Sequence, residues 1–362
     1  MNTKNQYYPQ TRIHPGETLE EKLEEMGIGP KEFAVRTGKP EKTIIAIINC
    51  DSSITPDMAI LFENVTRIPA NFWLNSQLNY DEHLAREKNK AVVEGAAFWT
   101  KQFPTNDMIK KGWITHSANI YEKTAALLLF FGLASKHAWE DYYLNQILKV
   151  NFRISLAHTK EPYAISAWLR KGELQAAELQ ANQYSEKNFK EALPKLKTVM
   201  ATHPENFFDK LQTICLEAGV KLVHTPCLPK APICGSTRRL NDTPLIQLTG
   251  RYKRNDSFWF TFFHEAGHIL LHGKKDIFLE NIDYSDKDLV KEEEANEFAR
   301  KWTLTTEEQE EIIQDEFLKD IVILKYAQKF NTHPAIIIGR LQHDGYIPYS
   351  MGGHFFEPVE LS

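Results

Sequence analysis

Residues 258–273, FWFTFFHEAGHILLHG, decide how the rest of the chain is read. The apolar run is longer than a typical strand, and Phe258, Phe262, Ala266 and Ile269 recur at helical spacing, so a largely buried helix is expected. Within it stand His264-Glu265-Ala266-Gly267-His268, a match to HExxH. Residues four apart share a helix face, so both imidazoles can reach one metal ion, and Glu265 beside the first is placed to move a proton there. His272 continues the histidine row. It is expected to cap the helix or brace a ligand instead of binding metal, because positions 264 and 272 lie about 12 Å apart along the axis.

A catalytic zinc site takes three protein ligands and keeps one open position. The third is expected from residues 292–302, EEEANEFARKW, where Glu292, Ala295, Asn296 and Ala299 fall on one helical face. The small Ala295 and Ala299 would let this helix approach the HExxH helix closely. Glu292 is then the carboxylate ligand, and Asn296, one turn on, braces a ligand histidine. Glu294, on another face, is the rival ligand, and all the glutamates of this run would also suit a solvated helix start. Before the HExxH helix, VKLVHTP (220–226), ICGSTRRL (233–240) and PLIQLTGRY (244–252) alternate with period two and read as strands. The last is a candidate edge for aligning an extended peptide.

RYKRNDSFWFTFFHEAGHILLH (251–272) and EEEANEFA (292–299) together resemble the ImmA/IrrE family of metallopeptidase-like proteins. The likeness spans about 210–345 and includes NTHPAIIIGRLQHDG (331–345). It implies a zincin-like domain with Zn2+ on His264, His268 and Glu292, the last in a Glu-xxx-Asn arrangement similar to that of gluzincins. Where the family often follows Ala-Asn-x-Phe-Ala with Leu/Ile-(Met/Ile)-Pro, this chain has Lys301-Trp302-Thr303-Leu304. Zinc makes water a nucleophile near neutral pH, and Glu265 would accept the proton and pass it to the leaving amine. Arg238, Arg239, His272 and Tyr326 are unranked candidates for steadying the developing oxyanion.

The N-terminal quarter carries a different signal. Short helices are expected in ETLEEKLEEMG (17–27), from Pro30 to Thr37, from Pro40 to Asn49, after Thr55-Pro56-Asp57, and from Ala70 to Lys90, with Gly27 and Gly38 as stops. Thr55 is placed to cap the fourth. That is the plan of a helix-turn-helix domain, with 40–49 as recognition helix. HPGETLEEKLEEMGI (14–28) and TPDMAILFENVTRIPANFWLNSQLNYDEHLAR (55–86) closely resemble the HigA-type antitoxins of the XRE family. The likeness implies a DNA operator as partner, a toxin or repressor partner, and a homodimer reading two half-sites. Glu41, Lys42, Thr43 and Ala46 are candidates for the groove-facing side, and Lys31, Arg36, Lys39 and Lys42 for phosphate contacts. The family's usual Gly and basic residues after the recognition helix are replaced by Cys50-Asp51-Ser52-Ser53. Residues 11–90 hold ten Lys or Arg against thirteen Asp or Glu, so this head is acidic, and a protein-interaction role is the plainer reading of the same fold.

The whole chain, 362 residues with 43 basic and 48 acidic side chains, has no global field to draw in a polyanion. Four scattered cysteines indicate neither a disulfide framework nor a thiolate zinc site. The polar start MNTKNQYYPQTR lacks the apolar core of a secretory signal, and the longest apolar run, 125–134, is half of a membrane span, so a cytoplasmic protein with no membrane partner is expected. The expected fold is mainly α with a small β-sheet (α+β). It divides into a tail (1–10), a five-helix helix-turn-helix domain (11–90), a helical connecting domain (91–205), a metallopeptidase domain (206–345) and a tail (346–362). Two functions follow: a DNA-binding regulator with a zinc-dependent endopeptidase that cuts a regulatory protein, or an antitoxin-like regulator whose metal is structural or sensory.

Overall fold

In the computed structural model the first helix, α1 (Pro15–Glu25), is held by a cap and by a missing side chain. His14 Nδ1 accepts from the Gly16 amide at 2.9 Å, and Glu17 reaches back to the His14 amide, a reciprocal cap that satisfies donors the helix cannot. A Cβ on Gly16 would lie 1.8 Å from the Ile47 carbonyl oxygen, so α1 crosses the third helix at a distance only glycine allows. The described residues are 13–144, 161–229, 231, 233–272, 278–279, 286–315 and 318–359; the tail expected at 1–10 lies outside them.

Met1–Gly95 forms one compact unit. After α1 come α2 (Pro30–Thr37), α3 (Glu41–Ile48), α4 (Pro56–Thr66) and α5 (Ala70–Gly95). Leu19, Phe33, Ile44, Ile47, Phe62 and Trp73 are fully buried between them, with Phe62 meeting Phe33 and Trp73 edge-on. Gly38 closes α2 in the left-handed conformation, and Thr55 Oγ1 caps α4. The boundary expected near 90 falls inside α5, whose helical run continues to Gly95.

Ala96–Ser362 forms the second unit. It opens with α6 (Ala97–Thr100), α7 (Thr105–Lys110), α8 (Ile120–Phe131), α9 (Lys136–Trp139) and a π-turn at Glu140–Leu144, whose rings Trp99, Phe103, Phe131, Trp139 and Tyr143 pack mostly edge to face. Then follow α10 (Pro162–Ala177), α11 (Glu186–Thr202), α12 (Phe207–Glu217), β1 (Lys221–His224), β2 (Gly235–Leu240), β3 (Thr243–Leu248), α13 (Asn255–Leu271) and β4 (Phe278–Leu279). The chain continues through α14 (Asp286–Thr303), α15 (Thr306–Ile313), α16 (Asp320–Phe330) and α17 (Pro334–His343). The strands lie in the order β1-β3-β2-β4, β1 parallel to β3 and the other pairs antiparallel. No helix among the described residues is long and apolar enough to cross a membrane.

Alternation along the strands sends their side chains to two different layers. Leu222, Ile246 and Leu248 join α12 and α13 in the main core, while Val223 and Leu245 pack with Ala176 of α10. On the α10 face the fully buried Gln247 donates to the Trp168 carbonyl at 2.8 Å and to Thr225 Oγ1 at 2.9 Å, and accepts from Arg238 at 2.9 Å. A Cβ on Gly172 would lie 2.1 Å from Gln247 Cδ, so the α10 backbone rests directly on that side chain.

Three expectations change here. Helices α10 and α11, assigned to a connecting domain over 91–205, belong to the same compact unit as the sheet, because one face of the sheet needs α10 to leave water. Of the tail expected at 346–362, residues 346–359 are described and pack on the second unit: Glu357 exchanges backbone and side-chain hydrogen bonds with Asn255, and Val359 is buried. The strand PLIQLTGR is not an edge, since β3 is paired on both sides, to β1 and to β2.

Directly after α3, Cys50 takes φ +65°, where L-residues are strained by their Cβ. Cys50→Gly is expected to raise the stability of the head by about 0.5–1 kcal/mol, the strain relieved being partly offset by glycine's greater freedom when unfolded. Urea unfolding followed by circular dichroism measures this, and a less stable variant would refute it.

Candidate metal centre

Helices α13 and α14 approach closely because small residues face each other. Ala266, Ala295 and Ala299 are fully buried, and a Cβ on Gly267 would stand 3.1 Å from Phe298 Cβ. The stretch Lys301-Trp302-Thr303-Leu304 serves the same contact: Trp302 stacks on Phe263 with 6.2 Å between ring centroids, and Leu304 is buried.

This approach brings His264 and His268 of α13 against Glu292 of α14. The two Nε2 atoms are 3.0 Å apart, Glu292 Oε2 is 3.3 Å from His264 Nε2, and Glu292 Oε1 is 3.5 Å from His268 Nε2. Zinc bonds to nitrogen and oxygen near 2.0–2.1 Å in a tetrahedron imply ligand atoms about 3.3 Å apart, so the donor set has the size of one tetrahedral face.

The outer nitrogens fix what these donors present. Asn296 Oδ1 lies 3.0 Å from His264 Nδ1 and accepts its proton, which leaves the unprotonated Nε2 turned toward Glu292. His268 is held through a relay. Glu294 Oε2 accepts from His272 Nε2 at 2.9 Å, which leaves His272 Nδ1 as the acceptor facing His268 Nδ1–H, also at 2.9 Å. His268 then also turns an unprotonated Nε2 inward. Burial, aided by the neighbouring His264, pushes the His268 imidazole far below its ordinary pKa and keeps it neutral. Two facing lone pairs with a carboxylate beside them repel one another, and a cation turns that repulsion into ligation.

Glu265 is fully buried. Its backbone carbonyl accepts from Thr237 Oγ1 at 3.0 Å, and a Cβ on Gly235 would lie 2.5 Å from its Oε1, so β2 leaves room for the carboxylate only by having glycine there. Along the seam from Asn296 to Thr303, between α13, α14 and α17, runs a cavity of about 330 Å³ walled by Tyr252, Phe260 and Ile336 with Arg300 and Arg340.

Other candidates are placed elsewhere. Arg238 is buried under α10, donating to the Leu169 carbonyl; Arg239 donates to the Asp242 carbonyl; Tyr326 donates to Asp315 Oδ2. None of those contacts is at the histidines, whereas His272 is, as the brace of His268. Glu294, the rival ligand, instead anchors His272. In the head, Lys31, Glu41 and Lys42 are exposed, Lys39, Thr43 and Ala46 half-buried, and Arg36 pairs with Glu32 on its own helix.

Residues 215–341 match the profile of the IrrE N-terminal-like domain, Peptidase_M78, a stretch that contains every residue of the metal centre. The N-terminal region is similar to solved antidote proteins. An addiction module antidote protein of the HigA family from Coxiella burnetii is 33% identical, covering 24% of this chain and 95% of its own, with a TM-score of 0.22. The Pseudomonas aeruginosa antitoxin HigA, solved with the higBA promoter, is 32% identical over 24% of this chain and 94% of its own, with a TM-score of 0.23. The chain carries an IrrE N-terminal-like domain, and its head is similar to antidote proteins of the HigA family. No curated protein matches the chain. Helices α10 and α11 precede the matched IrrE-like stretch, although α10 covers its sheet.

Glu292→Ala is expected to abolish zinc binding. Asn296→Ala and Glu294→Ala, which release the outer nitrogens, are each expected to weaken it by roughly 10–100-fold. Zinc titration against a competing chelator reads both, and full affinity in Glu292→Ala would reassign the third ligand.

Proposed function

We propose that the chain is a regulator in which a DNA-reading head is joined to a zinc-dependent endopeptidase acting on a protein partner. The observation that carries the enzymatic half is the combination of an inward-facing donor triad with a buried carboxylate, Glu265, next to the first ligand. A purely structural metal has no use for that carboxylate.

His264, His268 and Glu292 would hold the ion. Zinc, when bound there, polarises the scissile carbonyl and makes water acidic enough to attack near neutral pH. Glu265 accepts the proton at a carboxylate oxygen and delivers it to the departing amine nitrogen. Asn296 and the Glu294–His272 relay keep the ligand rings in the tautomers that metal binding requires. The cavity beside Asn296 seats a substrate side chain near the cleaved bond, its aromatic and aliphatic walls favouring a large apolar one.

For the head, the likeness to an antitoxin solved with its promoter supports operator binding, with α3 in the major groove and Glu41 and Lys42 exposed at its start. The acidic balance of residues 11–90 means that few cations neutralise phosphate, so binding is expected to be weak, with a shallow dependence on salt. A homodimer, a toxin or repressor partner and a cytoplasmic location complete the reading.

Glu265→Gln should keep zinc and lose cleavage of a co-expressed partner. Processing at the wild-type rate by this variant would rule out the base. In a mobility-shift assay on the promoter of its own gene, Lys42→Ala should weaken binding and reduce the slope of log K against log salt by about one. If the wild type gives no salt-sensitive shift, the head is a protein-binding module.

A further inference from the structure

The face of β2 turned toward α10 holds a second concentration of charge, away from the metal centre. Arg238 is 2% exposed. Its Nη1 donates to Ser236 Oγ at 3.0 Å and Gln247 Oε1 at 2.9 Å, and its Nη2 to the Leu169 carbonyl at 2.7 Å. All three acceptors are neutral. Among the described residues its Nε has no hydrogen-bond partner, and Glu173, whose charge acts on it, is already paired with Arg170. A guanidinium removed from water without a counter-charge is costly, so an arrangement that keeps one has a place for an anion.

That place adjoins it. Arg238 lines a cavity of about 240 Å³ with Arg170, Arg239, Glu173, Tyr142 and Asn241. Arg170 pairs with Glu173 at 3.0 Å, and Arg239 lies over the Tyr184 ring and donates to a backbone carbonyl. Among the described lining residues three guanidiniums therefore face one carboxylate, an excess of two positive charges. A water occupies about 30 Å³ of liquid, so the cavity is worth about eight waters, room for a phosphate or a short dicarboxylate.

We propose that this cavity binds a small doubly charged oxyanion, the phosphate or dicarboxylate portion of a metabolite, with Arg239 and Arg170 as direct contacts and Arg238 as the buried charge behind them. The planar guanidinium forks match either oxygen pair. Binding stands apart from the peptidase reading. Its consequence for cleavage rests on that reading: Thr237, next to Arg238, holds the Glu265 carbonyl, and Gly235 lies against the Glu265 carboxylate. One strand thus meets the anion on one face and the proposed base on the other.

Thermal unfolding of the full chain in millimolar phosphate or succinate, against sodium chloride at equal ionic strength, tests the proposal. At about ten times Kd, at least one anion should raise Tm by roughly 3–6 °C beyond the chloride control. Arg239→Gln, at the rim, should remove most of that rise, and Glu173→Gln, which deletes the lone carboxylate, should enlarge it. A response to phosphate alone identifies a phosphorylated ligand, and one to succinate alone a carboxylate. Arg238→Gln should abolish the response, with circular dichroism checking that it folds; Arg239→Gln decides the matter even if it does not. No rise with either anion, or an undiminished rise in folded Arg239→Gln, would overturn the proposal.

Discussion

The distance between α13 and α14 is the constraint on which the metal centre depends. Its donors sit on both helices, and the 3.0–3.5 Å spacings among them hold only while Gly267, Ala266, Ala295 and Ala299 keep side-chain bulk out of the interface. A methyl group at 267 would press on Phe298 and move Glu292 relative to the histidines by an amount comparable to a metal–ligand bond tolerance. Packing that elsewhere merely stabilises a fold here sets coordination geometry. The Phe263–Trp302 stack extends the same clamp one turn further.

Much of this was legible in sequence because it is local. Pro30, Gly38 and Thr55 act through their own backbones, so α2 runs over the expected residues and Thr55 caps α4. Helix periodicity favours Glu292 and Asn296 over Glu294 for the face turned to the histidines, since one turn of helix decides which face a residue occupies, and Glu292 does lie beside His264 and His268. What was hidden depends on partners distant in sequence. Nothing in SAWLRKGELQAAELQ says that its small-residue face will rest on Gln247, which lies 75 positions after Gly172. Strand order is hidden for the same reason, and with it the fact that β3 is central. The Glu294–His272 relay joins residues 22 apart that each look like a failed ligand when considered singly. His14 gave a local clue, since His-Pro-Gly-Glu spaces a cap acceptor and a glutamate three apart, but histidine is an unusual residue for that position.

The polar layer under α10 shows why the sheet tolerates buried Gln247, Arg238 and Thr225. The bonds from Arg238 to the Leu169 carbonyl, from Gln247 to the Trp168 carbonyl and from Trp168 Nε1 to the Thr225 carbonyl fix the register of α10 against the strands, so a slip of the helix by one residue would strand several donors at once. Apolar contact alone, through Ala176, Val223 and Leu245, would leave that register loose.

Because α10 is a layer of the sheet and not a spacer, the boundary of the recognisable family stretch and the boundary of what can fold differ by more than 40 residues. A fragment starting at 206 would carry every ligand yet expose a fully buried glutamine and arginine on one face. The interchangeable part for swapping heads among such proteins therefore begins near Ala96, where the second unit begins, and a recombination point placed at the edge of the IrrE-like match would deliver an intact metal motif on a sheet that cannot stay closed.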